Sequence, residues 1–316
     1  MIFWILGGIA LFLFLTLLGI LLYCYKRVFY YQKRRPLAEN EYGFPQDAAY
    51  KKHGNQLIAW AKAYRELPHE ELSITSFDNL TLKANYYECQ KGAPIEIMLN
   101  GYRGNAERDM AGGIERCFKL KRNALLVNQR ACGNSEGKSH TFGINEKRDL
   151  LKWIDFCIKK FGNDCQLILT GISMGGATVL LACRESLPPN VKYALADCPY
   201  SSAKEVICKV IDEMGLPSKV IYPFVKLSGR IIGRFNVEED TPLNAVKNAT
   251  VPIILFHGDE DTIVPCEMSK RLFNACKTDK YLHTVKGCEH GLAYPEDKEG
   301  YLLAIKEFEK QINCIY

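Results

Sequence analysis

The stretch Leu167–Ala182, "LILTGISMGGATVLLA", constrains the fold more than any other part of this chain. An apolar run of strand length leads into "GISMGG" at residues 171–176, and apolar residues then resume at helical spacing. A sharp strand-to-helix turn strains the backbone of its central residue, and glycines two positions away let the flanking backbones approach. The stretch therefore predicts a buried strand, a tight turn that exposes Ser173, and a buried helix.

The chain beyond residue 70 alternates short apolar runs with stretches of helical periodicity. The strand-length runs are Ile95–Asn100, Ala124–Asn128, Leu167–Gly171, Tyr193–Asp197, Pro252–Gly258 and Tyr281–Val285. The helical stretches between them are Glu107–Leu120, Glu146–Phe161, Gly175–Leu187, Cys266–Cys276 and Gly300–Gln311, and an amphipathic helix over Asp47–Glu66 is expected before the core. A hairpin, Leu72–Phe77 with Leu80–Glu88, precedes the first of these strands. Apolar strands that alternate with helices are typical of a parallel sheet covered on both faces. We therefore expect an α/β fold with a mostly parallel, eight-stranded sheet.

One interval, residues 201–246, separates two predicted strands by more than an ordinary loop. It contains two helical stretches, Ala203–Met214 and Val220–Arg234. An insertion of this size at the carboxyl edge of a parallel sheet is a candidate cap over a binding cleft. A pair of ordinary surface helices is the alternative.

The first residues indicate a membrane anchor. Ile2–Tyr25 carries no charged residue, and a helix of roughly 20 apolar residues crosses the hydrocarbon core of a bilayer. A secretory signal peptide would have a basic start, a shorter apolar run and a small-residue cleavage site, none of which is found here. We therefore predict an uncleaved transmembrane helix.

Basic residues follow this helix immediately: Lys26, Arg27, Lys33, Arg34 and Arg35. Because positively charged flanks remain in the cytoplasm, we expect the rest of the chain to face the cytosol. The thirteen cysteines show no C-x-x-C pair and no regular spacing, which favours reduced thiols and argues against a cysteine metal site. The formal net charge of +5 is too small to suggest a nucleic-acid surface.

A serine hydroxyl needs a base before it can act as a nucleophile, and the base needs an orienting acid. The base is expected in a loop after the last strand, where His290 lies between Gly287 and Gly291. The five other histidines fit less well: His53 and His69 precede the core, and His283 lies within the last strand. His257 precedes the expected acid, and His140 follows the fourth strand.

The acid is expected after the penultimate strand, in "FHGDEDTIVP". We favour Asp261, which lies deeper in that loop than Asp259, a residue suited to capping the turn through its side chain. Asp197, at the end of the preceding strand, is a further alternative. The chain order Ser173, Asp261, His290 is the one expected when the nucleophile follows a sheet strand in this way.

Two backbone N–H groups are candidates for an oxyanion hole. Met174 follows the nucleophile at the start of a helix, and Tyr102 lies in the loop after the first parallel strand, next to Gly101. Loss of one such donor costs about 10²–10³ in rate.

The sequence from about Leu72 onwards resembles the alpha/beta-hydrolase superfamily. The blocks that carry the resemblance are "NGYRGN", "NQRACGNSEG", "GISMGG", "FHGDEDTIVP" and "GCEHG". Within the superfamily the chain is similar to serine aminopeptidase-like and acylesterase-like bacterial hydrolases with a short helical cap. The resemblance implies an alpha/beta-hydrolase fold and a triad of Ser173, Asp261 and His290.

The sequence departs from the superfamily pattern at two places. Asn100 stands where a histidine is often found before the oxyanion loop, and Asn128 stands where an aspartate often opens the next block, with Ala131 at a glycine position. Neither departure touches the triad. We expect Arg130, Ser135 and Glu136 to support this loop structurally.

The sequence thus predicts a membrane-anchored serine hydrolase that cleaves an ester, thioester or amide without a metal or organic cofactor. A carboxylesterase or acylesterase is favoured, acting on a small acyl or peptide substrate. An aminopeptidase-like peptidase would need an acid to hold the substrate amine, and the candidates are Glu205, Glu213, Glu238, Glu239 and Asp240. A non-catalytic, membrane-tethered binding module is the third possibility.

These interpretations divide the chain into three parts. Residues 1–25 form the transmembrane anchor, and residues 26–70 form a basic juxtamembrane segment with an amphipathic helix. Residues 71–316 form the hydrolase domain, with the cap inserted at about 201–246.

Overall fold

The computed structural model describes residues 1–31, 42–45 and 47–314. Its first element is helix α1, Ile2–Val28, with a mean hydropathy of 2.7. By length and composition, α1 is the single helix within the described residues that would span a membrane, although a signal sequence passes the same test. Lys26 and Arg27 lie in its last turn. Lys33, Arg34 and Arg35, on which the predicted orientation also rests, lie outside the described residues.

The predicted eight-stranded sheet is confirmed. Its strands are β1 Glu70–Thr75, β2 Thr81–Tyr87, β3 Ile95–Leu99, β4 Asn123–Asn128, β5 Leu167–Ile172, β6 Val191–Asp197, β7 Ile253–Gly258 and β8 Lys280–Val285. The order across the sheet is β1-β2-β4-β3-β5-β6-β7-β8. β1 pairs antiparallel with β2, and β2 pairs antiparallel with β4, whereas all other neighbours run parallel. The carboxyl ends of β3, β5, β6, β7 and β8 therefore lie at one edge.

Helices connect and cover these strands. They are α2 Ala48–Arg65, α3 Ala106–Lys119, α4 Ile144–Phe161, α5 Met174–Ala182, α6 Ala203–Glu213, α7 Ser218–Ile231, α8 Pro242–Val246, α9 Glu267–Ala275, α10 Ala293–Glu296 and α11 Lys298–Gln311. α5 ends five residues before the predicted Leu187, so that prediction was wrong at its end. Pro188 disfavours helical backbone at Leu187, and the Cys183 oxygen, just beyond α5, accepts hydrogen bonds from the N–H and hydroxyl of Thr250.

The core lies on both faces of the sheet. On one face, side chains of α4 and α5 such as Trp153, Ile154 and Leu180 pack against the strands. On the other face, α2, α3 and α11 supply residues such as Met110 and Phe308. Because helices cover both faces, β3 is buried along its whole length, and four of its five residues are apolar. The fifth, Glu96, forms ion pairs with Arg116 and Arg122.

Two further helices, α6 and α7, lie in the interval between β6 and β7 and are called the cap helices below. A separate apolar cluster joins them to the end of α1. It contains Phe29 from beyond α1, Ile207 and Ile211 from α6, and Val225 from α7. The cap helices and the end of α1 thus form one packed unit beside the sheet.

Candidate active site

Ser173 lies at the junction of β5 and α5, in a backbone conformation that non-glycine residues rarely adopt. Its φ is 54° and its ψ is −117°. The turn needs glycine on both sides: a Cβ added to Gly171 would lie 2.2 Å from the carbonyl carbon of Gly175. A Cβ added to Gly175 would lie 2.2 Å from the backbone oxygen of Leu99. The "GISMGG" pattern is therefore explained by close backbone approach around a strained serine.

Three side chains that are far apart in the sequence meet at the carboxyl edge of the sheet. His290, in the loop between β8 and α10, has its Nε2 2.9 Å from Ser173 Oγ. Its Nδ1 lies 2.6 Å from Oδ2 of Asp261, which follows β7. The imidazole can therefore accept the serine proton at Nε2 while Nδ1–H donates to the carboxylate. The structure brings together the serine, histidine and aspartate selected from the sequence.

The carboxylate of Asp261 is held in its charged form. The backbone N–H groups of Ile263 and Val264 donate to Oδ1 at 2.9 and 2.7 Å. Burial by itself would raise the pKa of Asp261, but hydrogen bonds from His257 and His290 outweigh it and place the pKa well below its usual range. Asp261 is therefore a buried anion that can orient His290 and stabilise its charged form.

His257 supports this arrangement, a role that the sequence analysis did not assign. Its Nε2 lies 2.8 Å from the backbone oxygen of Val264 and 3.2 Å from Asp261 Oδ2. Its Nδ1 lies 2.6 Å from Ser269 Oγ, whose hydroxyl donates when Nε2 carries the proton. The sequence shows a histidine at the end of β7, four residues before Asp261. Whether its ring reaches that carboxylate depends on the path of the loop between them.

The two alternative acids have other partners. Asp259 Oδ1 accepts a hydrogen bond from the backbone N–H of Gly287 at 2.6 Å. Asp197 Oδ2 accepts one from the Tyr301 hydroxyl at 3.0 Å, and burial raises the pKa of Asp197 to about 6. Asp259 thus ties two loops together, and Asp197 lies beneath the site instead of beside the imidazole.

The two candidate oxyanion donors lie on either side of Ser173. Met174 is the first residue of α5, where backbone N–H groups have no acceptor within the helix. Tyr102 lies in the turn after β3, and a Cβ added to its neighbour Gly101 would be 3.6 Å from Ser173 Cβ. Tyr102 and Ser173 also line the same cavity. Both backbones are therefore close to the position that a substrate carbonyl would occupy.

Asp109 holds the Tyr102 loop in place, which the sequence analysis also missed. Its Oδ2 accepts a hydrogen bond from the Gly101 N–H at 2.9 Å, and its Oδ1 accepts one from Arg108 Nε at 2.6 Å. Asn100, at the position where the superfamily often has histidine, donates from Nδ2 to the Gly101 oxygen at 2.9 Å. The loop is thus fixed by polar side chains on both sides of Gly101.

The loop after β4, which contains the second departure from the superfamily pattern, is held in place by polar side chains. Arg130 forms ion pairs with Asp149 and Asp78, and Ser135 Oγ donates to the backbone oxygen of Asn128. Glu136 accepts a hydrogen bond from the Thr81 N–H at 2.7 Å. These side chains connect the loop after β4 to the hairpin, as expected.

The other histidines lie in different surroundings. His53 contacts Glu296 at 2.8 Å, and His283 lies 3.6 Å from Asp297. His69 lies near the backbone oxygen of Leu67. His140 is fully buried, and burial lowers its pKa to about 4. Each of the four is placed apart from the hydrogen-bonded set around Ser173.

One group of potential metal-ligating side chains coincides with the site. The donor atoms of Cys198, Asp261 and His290 all lie within 4.8 Å of one another. Burial raises the pKa of the Cys198 thiol well above its usual value, which keeps it protonated. Asp261 and His290 are already hydrogen-bonded to each other, so the cluster is organised for proton transfer through His290.

Two cavities meet at Ser173. The first, about 360 Å³, carries charged side chains on its wall: Asp47, Arg108, Asp109, Arg116 and Asp197. We call it the charged cavity. The second, about 290 Å³, is lined mainly by apolar side chains of the cap helices and the end of α1, with Arg27 and Arg103 as its charged members. We call it the apolar cavity.

Comparison with known proteins identifies the family. Residues 136–312, more than half of the chain, match the model of the prolyl oligopeptidase family. The chain belongs to the prolyl oligopeptidase family. The matched segment begins at Glu136 and includes Ser173, Asp261 and His290, so this family member carries all three residues within the family region.

Two relatives match over large parts of the sequence. An uncharacterized Bacillus subtilis protein, YqkD, is 26% identical over 60% of this chain and 63% of its own length. The chain thus matches less than two thirds of that relative. The acyltransferase drtE of Aspergillus calidoustus is 21% identical over 75% of this chain and 92% of its own length.

Solved structures show the same fold. An esterase from Pyrococcus furiosus superposes with a TM-score of 0.64 at 21% identity, covering 89% of this chain and 98% of the esterase. Est1E of Butyrivibrio proteoclasticus, solved with ferulic acid, gives a TM-score of 0.59 at 22% identity over 76% of this chain and 98% of Est1E. This prolyl oligopeptidase family member therefore has the alpha/beta-hydrolase fold.

Proposed function

We propose that this protein is a membrane-anchored serine hydrolase that works through an acyl-enzyme, and that it is a carboxylesterase or acylesterase. The observation that carries the proposal is the continuous hydrogen-bonded chain from Ser173 Oγ through His290 to Asp261. This chain lies where the two cavities meet, so one carbonyl group at Ser173 can direct its two substituents into different cavities.

The reaction follows from the geometry. Ser173 Oγ attacks the carbonyl carbon as its proton moves to His290 Nε2, and Asp261 stabilises the resulting imidazolium. The N–H groups of Met174 and Tyr102 hold the tetrahedral oxyanion. When the intermediate collapses, His290 returns the proton to the leaving group and an acyl-serine remains. Water then gives a proton to His290 and attacks the acyl-serine. As this second intermediate collapses, His290 returns the proton to Ser173 Oγ and the acid is released.

The acidic residues of the cap region favour an ester over a peptide amine as the substrate. Each of them is already engaged with a basic side chain: Glu205 with Arg271, Glu213 with Lys209, Glu238 with Lys226, Glu239 with Arg148, and Asp240 with Arg184. A carboxylate that holds a substrate amine must be free to accept its charge. The cap carboxylates are therefore poor candidates for an aminopeptidase site, although membership of a peptidase family keeps amide cleavage as the second possibility.

The experiment that tests this function uses the full chain in detergent or nanodiscs. A fluorophosphonate probe is expected to label the wild type and to leave Ser173→Ala unlabelled, and p-nitrophenyl esters should be cleaved faster than thioesters and aminoacyl-anilides. Faster anilide cleavage would favour the peptidase. An absence of both labelling and turnover would favour the non-catalytic binding module and contradict the proposed hydrolase.

We further propose that α1 anchors the protein in the cell membrane with the hydrolase domain in the cytoplasm. Support comes from the length and hydropathy of α1 and from Lys26 and Arg27 in its last turn. Cys89, an exposed thiol on the hydrolase domain, provides the test. A membrane-impermeant maleimide should label Cys89 only after the cells are lysed, with Cys89→Ser as the control. Labelling of intact cells that disappears in Cys89→Ser would reverse the proposed orientation.

A further inference from the structure

The end of α1 is packed against the hydrolase domain. Phe29, directly after the helix, is fully buried, and its ring makes edge-on contacts with Phe235 and Phe142 at centroid distances of 4.9 and 6.0 Å. Its backbone oxygen accepts a hydrogen bond from the His140 N–H at 2.9 Å. The chain continues with Tyr31, whose N–H donates to the Lys138 oxygen. A simple tether would need none of these contacts.

The same end of α1 also contacts the loop that carries a proposed oxyanion donor. The Tyr102 hydroxyl donates to the backbone oxygen of Val28 at 2.6 Å. Arg103 Nη2 donates to the backbone oxygen of Arg27 at 2.7 Å. These oxygens belong to the last turn of the helix, where backbone carbonyls receive no hydrogen bond from an N–H of the same helix. The last turn of α1 is thus fixed against the edge of the active site.

Between this turn and the cap helices lies the apolar cavity. Its volume of about 290 Å³ is near the lower end of the roughly 300–1,000 Å³ typical of small-molecule pockets. Its wall is formed by residues from three parts of the chain: Cys24 and Val28 of α1, Ile207, Ile211 and Val225 of the cap helices, and Ser173. An apolar group attached to a carbonyl at Ser173 would therefore contact α1 directly.

The rim of this cavity is apolar as well. Val210, Met214 and Leu216 line it and are 44%, 53% and 43% exposed. Tyr23, on the exposed side of α1, also lines it. Arg27 and Arg103 are the charged residues that line this cavity, and Arg103 Nη2 donates to the Arg27 oxygen. The half-exposed apolar side chains next to α1 therefore give an alkyl chain a largely apolar path to Ser173.

The opposite cavity has a different chemical character and fixes the direction of the substrate. The charged cavity also has apolar residues on its wall, but it presents Asp47 and the Arg108–Asp109 pair, so it is the more polar of the two cavities and suits a polar leaving group. An ester carbonyl has one acyl and one alkoxy substituent. The apolar substituent therefore belongs on the α1 side of Ser173, and the polar one on the other side.

We propose that the apolar cavity binds the acyl chain of the substrate, that the last turns of α1 form one of its walls, and that esters of long, unbranched acyl chains are the preferred substrates. The proposal rests on the proposed nucleophilic role of Ser173. It makes α1 a part of the substrate-binding site in addition to an anchor, and it places the amphiphilic ester with its polar end in the charged cavity.

The test fills the cavity from its α1 wall in the full chain, in nanodiscs. Cys24→Trp projects a large ring into the cavity, and Leu22→Trp, on the exposed side of the same helix, is the matched control. Labelling rates are measured with ethyl and decyl fluorophosphonates. The wild type and Leu22→Trp should prefer the decyl probe, and Cys24→Trp should lose roughly tenfold or more of that preference. Labelling of Cys24→Trp by the ethyl probe demonstrates a folded site.

A second variant covers the case in which Cys24→Trp does not fold. Ile211→Trp fills the same cavity from the cap and should shorten the preferred chain in the same way. If a folded Cys24→Trp protein keeps the wild-type chain-length profile, the proposal is overturned. If Cys24→Trp does not fold, the same result with Ile211→Trp shows that the apolar cavity does not bind the acyl chain and overturns the proposal.

A binding measurement separates this proposal from the proposed function. Failure of both probes to label the wild type would remove the nucleophile, and with it the hydrolase. Saturable binding of a fluorescent fatty acid to Ser173→Ala is then decisive. Weaker binding when Cys24→Trp is added, but not when Leu22→Trp is added, would support the acyl pocket. Equal binding in all three would overturn it.

Discussion

The two cavities that meet at Ser173 are built from different kinds of structure. The charged cavity is lined by the loop after β3, the first turn of α3 and the start of α2, all of which pack on the sheet. The apolar cavity is lined by the cap helices and α1, which lie outside the sheet. The sheet and its loops thus position Ser173, Asp261 and His290, whereas the added segments supply the apolar surface.

The way each wall is held in place also differs. On the charged side, Asp109 fixes the Gly101 N–H through a hydrogen bond and pairs with Arg108. On the apolar side, Phe29 and Phe235 pack ring against ring, and Tyr102 and Arg103 donate hydrogen bonds to the last turn of α1. Hydrogen bonds depend strongly on angle and distance, whereas apolar packing depends mainly on buried area, so the α1 wall combines both kinds of contact.

The largest effect is expected from a change at Ser173, the residue at which the two cavities meet. Ser173→Ala should lower turnover of short and long esters alike by about 10⁴–10⁶, since the nucleophile serves both sides. Steady-state kinetics with acetate and octanoate esters measure this. The exposed Ser73→Ala, on β1, is the control and should match the wild type. Substantial ester turnover in Ser173→Ala would assign the nucleophile elsewhere.

A smaller effect is expected from the charged side alone. Asp109→Asn weakens the hold on the Gly101 N–H, and the misplaced oxyanion loop should lower kcat by about tenfold to a hundredfold with little change in KM. Acetate and octanoate esters should lose the same factor, because the chain-length preference belongs to the other cavity. Glu107→Gln, in the same turn of α3 but paired with Arg65, is the control. A rise in KM at constant kcat would contradict a positioning role.

A change on the apolar side should alter selectivity more than rate. Met214→Asp places a charge on the rim of the apolar cavity and should lower the octanoate-to-acetate ratio of kcat/KM by about tenfold, with acetate turnover unchanged. Leu227→Asp changes an exposed apolar residue of α7 that does not line the cavity, and it should keep the wild-type ratio. Equal losses in the two variants would mean that the cap responds to charge in general.

The smallest effect concerns stability where the apolar side joins the end of α1. His140 lies between the rings of Tyr31 and Tyr102, and burial lowers its pKa to about 4 from an ordinary 6.5. The unfolded chain binds a proton near pH 6.5 and the folded chain near pH 4. Folding should therefore lose up to about 3 kcal/mol as the pH falls through this window.

The substitution His140→Leu should remove this pH dependence, because leucine does not titrate. Denaturant unfolding of the full chain at pH 7.5 and pH 4.5 measures the difference between the variant and the wild type, and ester turnover at pH 7.5 should remain close to that of the wild type. If both proteins lose the same stability across this range, His140 is not the titrating group that sets the pH dependence of the apolar side.

Much of the scaffold was predictable because its signals are local. The strand-length apolar runs gave β3 to β8 to within two residues, and the glycine spacing around Ser173 predicted the turn. The end of α5 was missed by five residues, since apolar periodicity continues to Leu187, whereas the Cys183 oxygen is bonded to Thr250, a residue distant in sequence. The contacts of His257 and Asp109 were also missed. Their partners, Asp261 and the Gly101 N–H, are reached through loops whose paths no local pattern describes.

The sequence by itself determined the order of strands and helices, the strained turn at Ser173 and the apolar character of α1, because periodicity, glycine spacing and hydropathy act over a few neighbouring residues. Only the tertiary structure decided that Asp261 and His290 contact Ser173 in a single hydrogen-bonded chain. Only the tertiary structure, too, placed Cys24 and Val28 on the wall of a cavity at that serine. Asp261 and His290 are 29 positions apart and Ser173 and His290 are 117 apart, and packing of the whole chain sets the distances between them.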